Sequence, residues 1–176
     1  MTTVKHLIRI GMFAAILAVS VYLIPPIFMP FIHVSVTIQT LIIFLIGYVL
    51  TPKEAFLSVM IYIIIGAIGL PVFSGAQGGI THLIGPTGGF ILYFPVMAYF
   101  VSVTKKASKG WFYHFVSGFI IGILMLYLFS NLWLSYSLGI SYFQGLIGLA
   151  IFIPFDIMKW ALAYLVYRRF PVHIFE

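Results

Sequence analysis

FIPFDIMKW, residues 152–160, places an aspartate (Asp156) and a lysine (Lys159) three positions apart in a stretch that is otherwise apolar. Residues 144–151 and 161–167 on either side carry no charge. The whole run from about 144 to 167 is therefore long enough to cross a hydrocarbon core of about 30 Å, which takes roughly 17–25 helical residues. Reading it as a membrane helix decides the class of the protein, and the rest of the chain agrees. Hydrophobic residues make up 63% of the sequence and charged ones 7%, with a mean hydropathy of +1.19. Soluble domains contain about 25% charged residues.

Working outward, Pro, Gly and charge divide the 176 residues into six apolar runs. Helices are predicted at about 6–24, 34–50, 53–70, 88–104, 111–130 and 144–167, because barrel strands would need only about 9–11 alternating residues. The predicted breaks are PPIFMP (25–30), TPK (51–53), the glycine-rich 71–87, KKASKG (105–110) and NLWLSYSLGIS (131–141). The first run follows Lys5 and Arg9 but ends in PPIFMP without a small-residue cleavage site, so it reads as a mature helix. One transmembrane domain, 1–176, is expected.

Charge orients this layout. With both termini inside, the inner segments hold Lys5, Arg9, Lys53, Lys105, Lys106, Lys109, Arg168 and Arg169, and the outer loops hold no Lys or Arg. That is the positive-inside pattern, and it assigns the net charge of +6 to orientation and anionic lipid. No soluble basic face with interleaved aromatics exists, so nucleic acid is excluded as a partner. No GxxxxGK[ST] occurs, so a P-loop nucleotide site is excluded, and if the protein performs driven transport something else supplies the energy. The chain has no cysteine. Of its histidines only His33 and His82 could meet on the outside, which is too few for a metal centre.

The charged pair now carries the chemistry. Insertion scales assign roughly 2.5–3.5 kcal/mol to each charge at a helix centre. At i,i+3 the two residues share a face with Phe152 and Ala163, and Pro154 should kink the helix just above them. Two readings stand: an ion pair that glues helices together, or a polar wall that hydrogen-bonds a ligand. VFSGAQGGITHLIGPTGGF (72–90) has similar alternatives, a tight packed turn or backbone lining a cavity. GMFAAILA (11–18) sets Gly11/Ala15 and Ala14/Ala18 at small-xxx-small spacing, for docking to a partner or for internal packing. Asn131, Trp133, Tyr136, Tyr142 and Gln144 read as an interfacial belt, with contact to a ligand as the alternative.

TIQTL (37–41), GLPVFSGAQGGITHLIGPTGGF (69–90), WLSYSLGIS (133–141) and FIPFDIMKW together resemble the BioY family, the biotin-specific S components of energy-coupling-factor transporters. The resemblance runs over nearly the whole chain. It implies an all-α, six-span S-component fold in a bacterial cell membrane, with biotin as transported ligand and not as a prosthetic group. It implies a transmembrane coupling subunit of the EcfT type and two cytoplasmic ATPases of the EcfA type as partners, with Gly11, Ala14, Ala15 and Ala18 as the docking face. No cofactor, metal or catalytic residue is expected. By match, Asp156 and Lys159 are the acidic and basic contacts, joined by Gln39, Gln77, Thr87, Gly88 and Gly89, with Phe73, Phe90 and Tyr93 as apolar walls. The chain departs from the family at Ile91, where some members carry arginine. It departs again at Phe155, a common glycine position, where a large ring would narrow the space beside Asp156. Alternatives left open are another small vitamin, transport without a dedicated ATPase module, and an intramembrane enzyme, for which no nucleophile or metal accompanies the pair.

Overall fold

The computed structural model describes residues 2–23, 26–29, 34–105 and 110–169. Helix α1 (Thr2–Leu23) leads into a short antiparallel hairpin, β1 (Ile27–Met29) with β2 (Val34–Val36), which pairs Ile27 with Val36. Helices α2 (Gln39–Val49) and α3 (Pro52–Ala67) follow, then a one-turn helix α4 (Thr81–Ile84) and α5 (Gly88–Lys105). A continuous rod is made of α6 (Trp111–Phe119), a π-helical turn over Ile120–Leu124, and α7 (Met125–Leu138). The described chain ends with α8 (Tyr142–Ala150) and α9 (Ile153–Arg169), which meet at a 54° bend.

Local chemistry accounts for these boundaries. Thr51 donates its backbone N–H and its hydroxyl to Glu54 Oε2, at 2.9 and 2.7 Å, and Pro52 opens α3 with the φ it already prefers. At the start of α8 the Ser141 N–H donates to Gln144 Oε1 at 3.1 Å and the Gln144 N–H donates back to Ser141 Oγ at 3.3 Å. Gly139 ends α7 in the left-handed region at φ 65°, where a glycine stop carries no Cβ penalty. These stops correct two expectations. The fifth helix runs to Leu138 rather than 130, because LWLSYSL contains no breaker. The predicted second helix begins only at Gln39, and Val34–Val36 is strand.

The last helix is also broken rather than merely kinked. Pro154 is the second residue of α9, in the first turn, where its missing N–H leaves no intrahelical bond unmade. Asp156 consequently lies in the first turn of a half-helix, where the positive end of the helix dipole favours a carboxylate.

Helix α5 is the packing centre, against α2, α3 and α7, while α9 packs on α2, α1 on α3, and α8 on α7. The fully buried core includes Tyr48, Tyr62, Phe44, Phe73, Met97 and Leu126. The outer surfaces of α1, α3, α5, α7 and α9 expose large apolar side chains such as Leu7, Ile64, Phe100, Leu132 and Leu165. This is the pattern of a bundle solvated by lipid. Among the described residues, Val4–Leu23, Gly88–Lys105 and Trp111–Leu138 are each long and apolar enough to span, and the bent pair α8–α9 makes a fourth. Bonds between distant residues mark the two ends of the bundle. His6 meets Glu54 and Lys105 meets the Leu50 carbonyl at one end; Tyr22 donates to Pro71 O and Trp133 to Gly85 O at the other.

Candidate functional site

A cavity of about 500 Å³ lies toward the second of these ends. Its wall comes from β2, α2, α5, α7, the bend into α9, and the segment between α3 and α5. Asp156 is at the centre of the polar wall and is 4% exposed. Lys159 Nζ donates to Asp156 Oδ1 at 2.7 Å and to Thr40 Oγ1 at 3.1 Å, while the Thr40 hydroxyl donates to the same Oδ1 at 2.9 Å. The Tyr127 hydroxyl donates to Oδ2. Acid and base thus form a neutral unit, held from three helices, with a void beside it. An ammonium has three donors and a carboxylate about four lone-pair sites. After the internal bonds are counted, one lysine N–H and one acceptor position on Oδ2 are left for a ligand.

Gln39 adds an amide. Its Nε2 donates to Tyr62 Oη at 2.6 Å and to Val72 O at 3.4 Å, so Oε1 is the group available to the cavity. Residues 73–77 form a tight turn in which Phe73 N donates to Gln77 O at 2.8 Å, with Gly75 at φ 76° and Ala76 at φ 54°. The turn seats the buried Phe73 ring against Gly66, where a Cβ would lie 2.3 Å from the ring, and leaves Gln77 exposed on the cavity wall. Phe90 stands edge-on to Tyr127, and Phe90, Phe94 and Phe152 complete the apolar lining.

The structure therefore brings Asp156, Lys159, Gln39, Gln77, Thr87, Phe73 and Phe90 to one cavity. It does not bring Gly88, Gly89 or Tyr93 there. A Cβ on Gly88 would sit 1.9 Å from Leu83 O, and one on Gly89 would sit 2.7 Å from Trp133 Cβ, so both glycines permit packing against α4 and α7. Tyr93 turns toward α7, stacked on Phe129 and donating to Ile121 O. Phe155 is 39% exposed on the outer face of α9 and does not narrow the cavity. The small-residue stripe divides as well. Ala14 and Ala18 are buried against the bundle beside Leu17, whereas Gly11 and Ala15 face outward. Asn131 is fully buried and bonds Tyr142 O, so it is no interfacial residue. His33 lies outside the described residues, and among those described no group of three metal-ligating side chains occurs.

Thr40 and Tyr127 are the partners of Asp156 that sequence reasoning missed. Thr40 sits in the TIQTL stretch, but a threonine hydroxyl in a helix ordinarily bonds its own backbone. Tyr127 lies in an apolar run where aromatic packing is the default.

Comparison with known proteins matches this architecture. A family model described as the BioY family covers residues 1–174. A probable biotin transporter BioY of Pyrococcus horikoshii is 38% identical over 136 residues, which are 77% of this chain and 80% of the relative. The biotin transporter BioY of Rhizobium etli is 33% identical over 179 residues, covering 96% and 94%. Among solved structures, the crystal structure of the S-component for biotin from an ECF-type ABC transporter superposes with a TM-score of 0.88 at 27% identity, over 96% of this chain and 91% of that one. A mostly helical bundle of this shape, with the family model matched over residues 1–174, places the chain in the BioY family.

Proposed function

We propose that this chain is the biotin-capturing S component of an energy-coupling-factor transporter. The observation that carries the reading is the hydrogen-bonded unit of Asp156, Lys159, Thr40 and Tyr127 beside a cavity of about 500 Å³. Biotin's ureido ring presents two N–H donors and a strong carbonyl acceptor. Asp156 Oδ2 and Gln39 Oε1 are acceptors for the donors, and the remaining Lys159 N–H is a donor for the carbonyl. Phe73, Phe90, Phe94 and Phe152 offer apolar walls to the thioether ring. Such a site binds a ligand and leaves it unchanged, as expected of a transport family and not of an enzyme.

In the same reading the chain crosses the cell membrane six times, through α1, β2–α2, α3, α5, α6–α7 and α8–α9. The short α2 spans about 16 Å and the extended β2 adds about 10 Å, which supports counting them together as one crossing. Lys5, Arg9, Lys53, Lys105, Arg168 and Arg169 fall at the end of the bundle away from the cavity, so both termini lie inside and the cavity opens outward. In this reading a transmembrane coupling subunit and two cytoplasmic ATPases drive release, consistent with a sequence that contains no P-loop motif. Gly11 and Ala15 are the outward small residues suited to close helix docking.

The test is to purify the chain from cells grown with biotin and identify co-purifying small molecules by mass spectrometry. Stoichiometric biotin is the expected result. Thiamin or riboflavin in its place would move the protein to another ligand on the same fold.

A further inference from the structure

The cavity wall carries polar groups besides the Asp156 cluster. The segment between α3 and α5 contributes Ser74, Gln77, His82 and Thr87 to the wall. Ser74 Oγ is buried from solvent and has no hydrogen-bond partner among the described residues. The His82 ring is half-buried and tilts against Phe73 with centroids 6.1 Å apart, and no hydrogen bond to either ring nitrogen occurs among the described residues. Ser74 Oγ therefore has almost no surface open to the cavity, whereas the imidazole lines it without a protein partner and is the group left for a ligand.

Charge decides which ligand group. Lys159 is already neutralised by Asp156, so the described wall carries no net charge when His82 is neutral. A carboxylate brought into this cavity would be an unpaired anion in a partly dehydrated site, which is costly unless a cation meets it. The other titratable groups facing the cavity are Asp156 and Lys159 on α9 and Tyr127 on α7, with Tyr62 of α3 behind Phe73; β2, α2, α5 and the 73–77 turn contribute none among the described residues. Tyr127 donates to Asp156 and cannot become cationic. Histidine is the side chain that becomes a cation near neutral pH.

We propose that His82, as imidazolium, recognises the carboxylate of the ligand's tail, so that capture of the acid takes up a proton. This rests on the proposed function, in which the ligand is biotin bound by its ring at Asp156. One proton passes from solvent to the imidazole as the carboxylate seats, and no bond is made or broken otherwise. The sign follows from linkage: the anion raises the affinity of His82 for its proton, so biotin binds more tightly as pH falls toward 6 and more weakly as it rises toward 8. A proton held about tenfold more tightly in the complex corresponds to about tenfold in ligand affinity.

The experiment is a titration of the purified full chain with biotin and with biotinamide, which has the same ring and a neutral tail, at pH 6 and pH 8. Biotin should bind about tenfold more tightly at pH 6, and biotinamide should show no such dependence. His82→Gln should weaken biotin at pH 6 to its pH 8 level, with biotinamide binding reporting that the pocket is intact. His33→Gln should keep the dependence. Equal pH responses of the two ligands in the native protein would overturn the proposal, as would a biotin dependence that survives His82→Gln or disappears with His33→Gln. Should the glutamine variant bind neither ligand, the native two-ligand comparison decides alone. Loss of the His82 effect with tight biotin binding leaves the proposed function standing, whereas failure of the native chain to bind either ligand removes both.

Discussion

Two polar clusters are buried in this apolar chain, and they differ in what lies beside them. Around Asp156, charged and hydroxyl groups from α2, α7 and α9 bond one another and still face an open cavity. Around Asn131, the amide donates to Tyr142 O at 2.7 Å and accepts from Ser135 Oγ at 3.3 Å. There Gly145 closes the gap so tightly that a Cβ would sit 2.0 Å from Asn131 Oδ1. The second cluster is neutral and sealed, and it clips α8 onto α7. Burial of polar groups in a membrane bundle thus has two meanings, and the adjacent void separates them.

Substitutions at the two clusters and on α1 probe that contrast. Lys159→Met should have the largest effect, because it leaves the Asp156 carboxylate buried without its counter-charge. A stability loss of about 3–5 kcal/mol is expected in thermal or denaturant unfolding. Asp156→Asn combined with Lys159→Met should recover much of that stability while remaining unable to bind biotin. Gly145→Val comes next: it overpacks the neutral cluster and should lower stability by about 1–3 kcal/mol. The biotin affinity of the folded Gly145→Val protein should stay at the native value. Weakened affinity there would mean that the clip also shapes the cavity. Tyr127→Phe removes one bond to Asp156 and should weaken biotin binding by about 1 kcal/mol, measured by calorimetry. Ala15→Trp should have the smallest effect on the isolated protein, within about 0.5 kcal/mol in stability, yet should block uptake in cells. Ala14→Trp, placed on the buried face, should damage folding instead.

The same contrast bears on what the amino-acid sequence revealed. Asp156 and Lys159 were legible because a charge inside an apolar run is costly to bury, and two at helical spacing point to a shared polar role. That the chain is built of long apolar helices was legible from hydropathy, with three or four of them long enough to span among the described residues. Hydroxyls carry no such signal. Thr40 and Tyr127 are ordinary helix residues, and only the approach of α2 and α7 to α9 makes them partners of Asp156. Glycines were legible as small but not as to what smallness serves. Gly75 shapes the cavity turn, whereas Gly88 admits the Leu83 carbonyl and Gly89 admits Trp133 Cβ and the Ser130 backbone. In GMFAAILA the spacing marked a close-packing stripe, and which half of it faces the bundle depended on where α3 lies.

Helix breaks were the least legible feature. A boundary at 131 rests on polar residues, and these point into the α7–α8 interface, where they have partners. Pro154 in an apolar run predicts a kink in a continuous helix. By opening a new helix instead, it gives Asp156 the favourable end of a helix dipole.

The most direct measurement is the affinity of the purified Asp156→Asn protein for biotin. If the carboxylate grips the ureido ring from a neutralised pair, binding should fall by about 1.5–3 kcal/mol, the scale of a hydrogen bond to a charged group, in a protein that remains folded. A well-folded Asp156→Asn chain that binds biotin as tightly as the native one would contradict the assignment and leave the pair a structural tie between α9 and α2.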